Sequence, residues 1–143
     1  MSESTLLIHA IWSTLNQKPQ LNKKIQTEVI EHVIQNAKKR SIEIYAVCGG
    51  IDHLHVIIRL HSSQSLSQVI HNIKGEVSFW INTQNFTKEP FQWQEGFNAA
   101  SLSPSNKRKM KKYLYNHKLI HENMTYLQEV RMLKMDKLLE VLA

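Results

Sequence analysis

Hydrophobic residues recur along this chain with two different periods, and the change of period predicts where strands and helices alternate. Short runs rich in β-branched and aromatic residues are typical of buried strands. Longer stretches with an apolar residue at every third or fourth position are typical of amphipathic helices. The predicted elements, in chain order, are strand 6–12, helix 21–40, strand 42–48, strand 51–60, helix 65–82, a short strand or two half-strands within 91–102, helix 104–121 and helix 125–142.

The order of these elements predicts the fold class. Strand, helix, strand, strand, helix, strand is the βαββαβ pattern of ferredoxin-like and RRM-like α+β folds. Such folds form an antiparallel sheet with helices on one face, and we expect the other face to be free for ligands or nucleic acid. The short connection through Gly49 and Gly50 favours an antiparallel hairpin. Two further helices would follow the sheet, the second of which could pack on the domain or on a second copy.

Chain length and composition narrow the class of protein. At 143 residues we expect one domain spanning 1–143. The net charge of +6 and the basic run 107–112 are compatible with a nucleic-acid partner, although a charged run is usually only a solvated helix face. No apolar stretch is long enough for a membrane span, and the N-terminus does not resemble a signal peptide. The single Cys48 cannot form an internal disulfide, so we expect a cytoplasmic protein.

Two pairs of residues suggest a catalytic centre. His53 and His55 lie two apart on the third predicted strand, so both project from one face and could form half of a metal site. Tyr113 and His117 lie four apart on a predicted helix and share a face. Together these side chains would offer three nitrogen ligands and a phenol. This set suits phosphodiester cleavage, in which a metal polarises the phosphate and tyrosine is the nucleophile.

Simpler structural roles compete with this interpretation. A strand histidine is more often a hydrogen-bonded core residue than a metal ligand. Trp93 could stack on a base or lie in the core. The remaining histidines are expected to be solvated or structural, with His121 as a substitute ligand one turn beyond His117: His9, His32, His61, His71 and His121.

Five segments in order resemble one family, the small HUH single-tyrosine transposases of bacterial insertion sequences and their relatives associated with repetitive extragenic palindromes (REPs). The resemblance covers about residues 7–121. It is carried by the first strand (8–14), the histidine-hydrophobe-histidine signature (50–56), the Ile-Lys-Gly of the second helix (73–75), the Trp-Gln-Glu-Gly segment (91–97) and the tyrosine helix (112–117).

The resemblance implies a role for each matched residue. His53 and His55 would be metal ligands, and Tyr113 would be the nucleophile that attaches to the 5′-phosphate of cut single-stranded DNA. The third ligand in the family is usually a glutamine four residues after the tyrosine, where this chain has His117. The family usually works with Mg²⁺ or Mn²⁺. Its members are homodimers that recognise DNA hairpins, which implies a homodimer here, in the cytoplasm of a bacterium or archaeon.

Several residues are expected to contact DNA. The basic run leads into the turn that carries Tyr113, where a phosphate backbone would pass. For Lys74 a solvated helix position is an equally good interpretation. The expected DNA-binding residues are Arg59, Lys74, Trp93, Lys107, Arg108, Lys111 and Lys112.

Three functions therefore remain open. The first is a transposase that cuts and rejoins single-stranded DNA through Tyr113. The second is a domesticated or inactive relative that only binds or nicks hairpin DNA. The third is a non-catalytic ferredoxin-like nucleic-acid-binding module whose histidines are structural.

Overall fold

A computed structural model describes residues 4–116 and 125–134. The strands are β1 (Leu6–Ser13), β2 (Glu43–Gly49), β3 (His53–Leu60) and β4 (Asn98–Leu102); the helices are α1 (Lys23–Lys39), α2 (Leu66–Gln84), α3 (Pro104–Asn116) and α4 (Tyr126–Lys134), with a short 3₁₀ turn at Leu15–Gln17. The four strands form one antiparallel sheet in the order β2-β3-β1-β4. The predicted α+β fold with a four-stranded antiparallel sheet is confirmed.

The first face of the sheet is packed by α1 and α2. Side chains alternate along a strand, so Leu54, Val56 and Ile58 of β3 point to this face and are buried there. Both helices begin at a side-chain cap. Asn22 Oδ1 accepts a hydrogen bond from Ile25 N (3.0 Å), and the Ser65 hydroxyl oxygen accepts one from the N–H of the residue three positions later. This face is the main hydrophobic core.

The second face is not free as expected, because α3 and α4 contact it. Met110 and Leu114 lie four apart on α3 and pack with Ile57 of β3 in a smaller buried cluster. The cluster removes apolar surface of both elements from water, which is the physical reason that the helix lies on the sheet. Helix α4 places the buried Glu129 on this same face, against the two histidines of β3.

The segment between α2 and β4 joins the open end of β1. Trp93 forms an isolated antiparallel bridge with Thr14, and Gln94 N donates to Ser13 O (2.9 Å). The two predicted half-strands are therefore one strand, β4, and one bridge. None of the helices in the described ranges is both long and apolar enough to cross a lipid bilayer.

Candidate active site

His53 and His55 lie at the start of β3, which has a neighbouring strand on each side. In the register of the sheet, His55 is opposite Ile11 of β1 and Cys48 of β2. Both imidazole side chains are fully buried, and their ring centroids are 5.2 Å apart. The strand thus holds two ring nitrogens side by side in a rigid, water-poor place.

A carboxylate from α4 completes the cluster. Glu129 Oε1 lies 2.7 Å from His53 Nε2, and its Oε2 lies 2.5 Å from His55 Nε2. One ligand atom from each of the three side chains lies within 4.8 Å of the other two. Glu129 is the residue that the sequence analysis missed, and it lies beyond the tyrosine helix in the stretch to which no role was assigned.

The other nitrogen of each ring is also held. Asp52 Oδ1 accepts a hydrogen bond from His53 Nδ1 (2.7 Å). His9 Nε2 and His55 Nδ1 are 2.8 Å apart and share one proton, and their two rings are nearly parallel (9°), with centroids 5.0 Å apart. Histidine ligands of metals are usually fixed in this way through their second nitrogen. Both Nε2 atoms are therefore turned toward the same point.

Glycine at position 50 makes room for this arrangement. Its N–H donates to His53 O (3.0 Å) to close the β2–β3 hairpin. A Cβ at Gly50 would overlap Cε1 of the His53 ring and lie 2.8 Å from both ring nitrogens. The ring cannot move aside cheaply because Asp52 and Glu129 hold both of its nitrogens. Gly50 is thus required for the position of His53.

Helix α4 is fastened to the sheet by two further hydrogen bonds. Tyr126 N donates to Asp52 Oδ1 (3.2 Å), and Asn98 Nδ2 donates to the Tyr126 hydroxyl (2.7 Å). The same aspartate therefore orients His53 and anchors the helix that carries Glu129.

The electrostatics of the cluster favour a cation. Burial disfavours the imidazolium of His53, but the hydrogen bonds and charges of Asp52 and Glu129 outweigh it and raise the pKa of His53 above its usual 6.5. Two imidazole nitrogens, a carboxylate and a second carboxylate behind them form a donor set that fits a divalent metal ion. The side chains present are thus suited to hold the ion that the sequence led us to expect.

Tyr113 packs on the same face as the histidines. Its side chain is only 5% exposed and lies in the cluster of α3, Ile57 and Cys48. Burial raises the pKa of the phenol to about 12, with smaller contributions from the charges of Glu129 and Cys48. Tyr115 is different, because it is 43% exposed and its hydroxyl accepts a hydrogen bond from Val47 N (3.2 Å). The two tyrosines of α3 therefore have distinct surroundings.

His117 and His121 lie outside the described residues, so His117 as the third ligand stays a prediction.

His9 was expected to be solvated or structural, and it is a buried partner of His55. Strand pairing could have found it: His9 is opposite Ile57, one same-face step from His55. Asp52 is adjacent to His53 in the sequence but carried no spacing signal of its own.

The basic residues expected to contact DNA form a group near the start of α3. Lys107 and Lys111 both place their ammonium groups 4.4 Å from the centroid of the Tyr45 ring. Arg59 is half-exposed, 3.6 Å from a carboxylate oxygen of Glu43. Two further members of the predicted set are exposed on α3: Arg108 and Lys112.

Lys74 and Trp93 are placed differently from the other expected DNA contacts. Lys74 Nζ donates to the backbone oxygens of Gln94 and Gly96, each at 2.8 Å. The ring of Trp93 is buried, and its Nε1 donates to Lys74 O (3.0 Å). Both side chains therefore hold the loop before β4 against α2. Their predicted contact with DNA stays a prediction.

Comparisons with solved structures agree with this fold. A candidate transposase from Deinococcus radiodurans R1 has the same fold, with a TM-score of 0.66 and 16% identity over 80% of this chain and 92% of that one. A REP-associated tyrosine transposase, solved bound to a REP hairpin, gives a TM-score of 0.61 and 21% identity over 85% of this chain and 74% of that one. No curated protein sequence is significantly similar to the chain.

The family is shown by sequence. The family model described as IS200-like transposase matches residues 2–117, which include β1 to β4, the histidine pair and Tyr113. The resemblance stated from the five motifs is thereby confirmed. The chain belongs to the IS200-like transposase family.

Proposed function

We propose that this protein is a metal-dependent endonuclease and strand transferase that cuts and rejoins single-stranded DNA through a covalent link to Tyr113. The observation that carries the proposal is the convergence of His53, His55 and Glu129 on the face of the sheet against which Tyr113 packs. A cation site and a phenol on the same face are the pairing that phosphodiester cleavage by tyrosine uses.

Three side chains would hold the metal: His53, His55 and Glu129. Once bound there, a Mg²⁺ or Mn²⁺ ion would polarise a non-bridging phosphate oxygen and compensate the Glu129 charge that disfavours the phenolate. Asp52 and His9 would keep the two rings turned toward it. His117 is the competing candidate for the third ligand, by its position four residues after the tyrosine.

Tyr113 would be the nucleophile. Its oxygen would form a bond to phosphorus while the bond from phosphorus to the 3′-oxygen breaks, which leaves a 5′-phosphotyrosine and a free 3′-hydroxyl. With a pKa of about 12, almost none of the phenol is ionised near neutral pH. A compensating positive charge in the site is therefore needed for the reaction to be fast.

The basic residues around the start of α3 would guide the DNA. Lys107 lies six residues and Lys111 two residues before Tyr113 on the same helix, both within about two turns of it, so a phosphate backbone held there would lead to the nucleophile. The REP-associated relative was solved with a REP hairpin, and we extend that preference for hairpin DNA to this chain. A homodimer and a cytoplasmic location are part of the same proposal, as is a single domain over 1–143.

A covalent-adduct assay tests this function. The protein is mixed with labelled single-stranded DNA from the flanks of its own gene, with Mg²⁺ or Mn²⁺, and run on a denaturing gel. We expect a metal-dependent adduct that disappears in Tyr113→Phe and persists in Tyr115→Phe, which is the matched control on the same helix. Loss in Tyr115→Phe alone would refute the assignment, and hairpin binding without any adduct would favour the non-catalytic binding module.

A further inference from the structure

Gly75 lies in the middle of α2, where glycine is an unfavourable residue. Glycine weakens a helix interior relative to alanine because it loses more backbone entropy on folding. Apart from its chain neighbours and the nearby backbone of its own helix, a Cβ at this position would meet no atom of the described residues within 4 Å. The packing of the protein therefore gives no reason for the missing side chain, and the open space above the helix suggests that something else approaches the backbone there.

A cleft of about 350 Å³ opens beside this glycine. One wall is α2, and the other is the loop 92–97 that precedes β4; the cleft is lined by His71, Gly75, Ser78, Glu95 and Phe97 among others. Lys74 fixes the loop through its two hydrogen bonds to the backbone oxygens of Gln94 and Gly96. The loop wall of the cleft is thus held in place by hydrogen bonds to α2.

Aromatic side chains flank the glycine on the surface of α2. His71, which lines the cleft, lies one turn before Gly75 and is exposed, and Phe79, which lies just outside the cleft lining, is one turn after Gly75 and 70% exposed. Residues four apart share a helix face with their Cβ atoms about 5–6 Å apart. A glycine between two exposed aromatic rings leaves room for a flat ring to lie against the helix.

The cleft is connected to the end of the sheet that carries the candidate metal site. Its loop donates from Gln94 N to Ser13 O, and Ser13 is paired with His53. One residue past Phe97, Asn98 bonds the Tyr126 hydroxyl of α4. A strand of DNA that passes around this end of the sheet would contact both the cleft and the candidate metal site.

We propose that the cleft between Gly75 and the loop 92–97 holds an unpaired base of single-stranded DNA, stacked on Phe79 or His71 and read by the Glu95 carboxylate. Stacking on aromatic rings is how proteins commonly hold unpaired bases, and a carboxylate accepts hydrogen bonds from the amino groups of bases. The net charge of +6 favours a polyanion as the source of the base. The choice of single-stranded DNA rests on the proposed function.

Gly75→Gln tests the cleft without weakening the helix, because glutamine is a better helix former than glycine. Its side chain would fill the space above α2. With fluorescently labelled single strands of about 12 nucleotides, within the range of known site sizes, we expect affinity to fall at least about fivefold while the melting temperature stays equal or rises. Thr27→Gln, at an exposed position of α1, is the matched control and should leave affinity unchanged.

Phe79→Ala tests the stacking platform. Removal of an aromatic partner of a base typically lowers affinity by about 5- to 150-fold, and we expect a loss in this range with the fold intact by circular dichroism. Unchanged DNA affinity in both Gly75→Gln and Phe79→Ala would overturn the inference. So would a change of oligomeric state in light scattering with DNA affinity intact, since this would identify a second copy as the occupant.

The inference and the proposed function can fail separately. If wild-type protein forms no covalent adduct but its DNA binding depends on Gly75, the base cleft stands and the nuclease does not. If the adduct forms on Tyr113 and neither cleft variant alters DNA affinity, the nuclease stands and the base cleft does not.

Discussion

Consecutive residues of β3 show how differently the two faces of the sheet are built. Leu54 points toward α1 and α2 and is buried among aliphatic and aromatic side chains. His53 and His55, its immediate neighbours, point the other way and are buried against Glu129, Asp52 and His9. Burial is almost equally complete on both sides. On the first face, burial stabilises the fold through the hydrophobic effect. On the second face, burial brings titratable side chains into contact with one another.

The two faces of the sheet contribute differently to stability and to function. Apolar side chains stabilise the fold in proportion to the surface they remove from water. Buried charged groups are expensive unless they are paired or bind a metal. The buried polar groups of the second face therefore favour function at the expense of stability, whereas the first face stabilises the fold. Mutations on the second face should mainly reduce activity, and mutations on the first face should mainly reduce stability.

The largest effect is expected from the second face. His55→Ala removes a proposed metal ligand, so we expect the covalent adduct to fall below detection while hairpin binding, measured by gel shift, is largely retained. Circular dichroism must show that the variant is folded. Loss of hairpin binding together with cleavage in a folded variant would contradict the ligand role.

The neighbouring position on the first face should behave in the opposite way. Leu54→Ala deletes a fully buried aliphatic side chain, for which the free energy of unfolding typically falls by about 2–5 kcal/mol. Denaturant unfolding measures this loss. Adduct formation per folded molecule should stay near that of the wild type at low temperature. A specific loss of cleavage with little loss of stability would mean that the two faces are not separate.

The two glycines of the β2–β3 hairpin allow a test of how His53 is held. A Cβ at Gly50 would overlap the His53 ring, whereas one at Gly49 would lie in ordinary contact, 3.4 Å from Leu54 Cδ1. We expect Gly50→Ala to weaken Mn²⁺ binding by about 10- to 100-fold, the range seen when the partners that orient a ligand are lost. Gly49→Ala is the matched control, and equal effects of the two variants would show that His53 is not held as described.

Glu129→Gln should change the ionisation of Tyr113. Burial is the main cause of the raised pKa of this phenol and the Glu129 charge adds to it, so removal of the charge should lower that pKa only part of the way from about 12 toward the usual value near 10. Absorbance titration of the phenolate, with Tyr113→Phe as the difference reference, measures the shift. A pKa that does not move, or that rises, would mean that the carboxylate is not near the phenol.

The raised pKa of Tyr113 also predicts how the stability of the protein depends on pH. A phenol with a higher pKa in the folded state binds its proton more tightly there, so the contribution of Tyr113 to stability should be constant below about pH 10 and decline as the pH rises toward 12. Unfolding measured across this range should show less decline in Tyr113→Phe than in the wild type.

The smallest effect is expected from Tyr115→Phe. This change removes only the hydrogen bond from Val47 N to the phenol, so the free energy of unfolding should fall by about 0.5–1.5 kcal/mol, as measured by thermal or chemical denaturation. Cleavage should persist. If the adduct is lost, the nucleophile has been assigned to the wrong tyrosine.

Much of the fold could be predicted from local pattern. The alternation in β3 placed His53 and His55 on one face, and the helical period of 21–40 matched α1 within about two residues at its ends. The hairpin followed from the glycines that end β2. Trp93 was harder, since a bridge of one residue leaves no periodic trace.

The site was only half predictable. Spacing along one element found the histidine pair and Tyr113, because residues two apart on a strand or four apart on a helix have a fixed relation. Glu129 comes from an element 76 positions away from His53, and no local rule connects them. It also lies beyond residues 2–117 that match the family model. Tertiary packing of α4, which the sequence did not reveal, brings it there.

The proposed function depends above all on the binding of a divalent cation by His53, His55 and Glu129 on the second face of the sheet. Calorimetric titration of the metal-free protein with Mn²⁺ measures this binding, in the wild type, Glu129→Gln and His117→Ala, with folding of each variant checked by circular dichroism. We expect the wild type to bind a single ion, Glu129→Gln to bind it at least tenfold more weakly and His117→Ala to match the wild type. Unaltered Mn²⁺ affinity in Glu129→Gln, with the loss in His117→Ala instead, would contradict the claim.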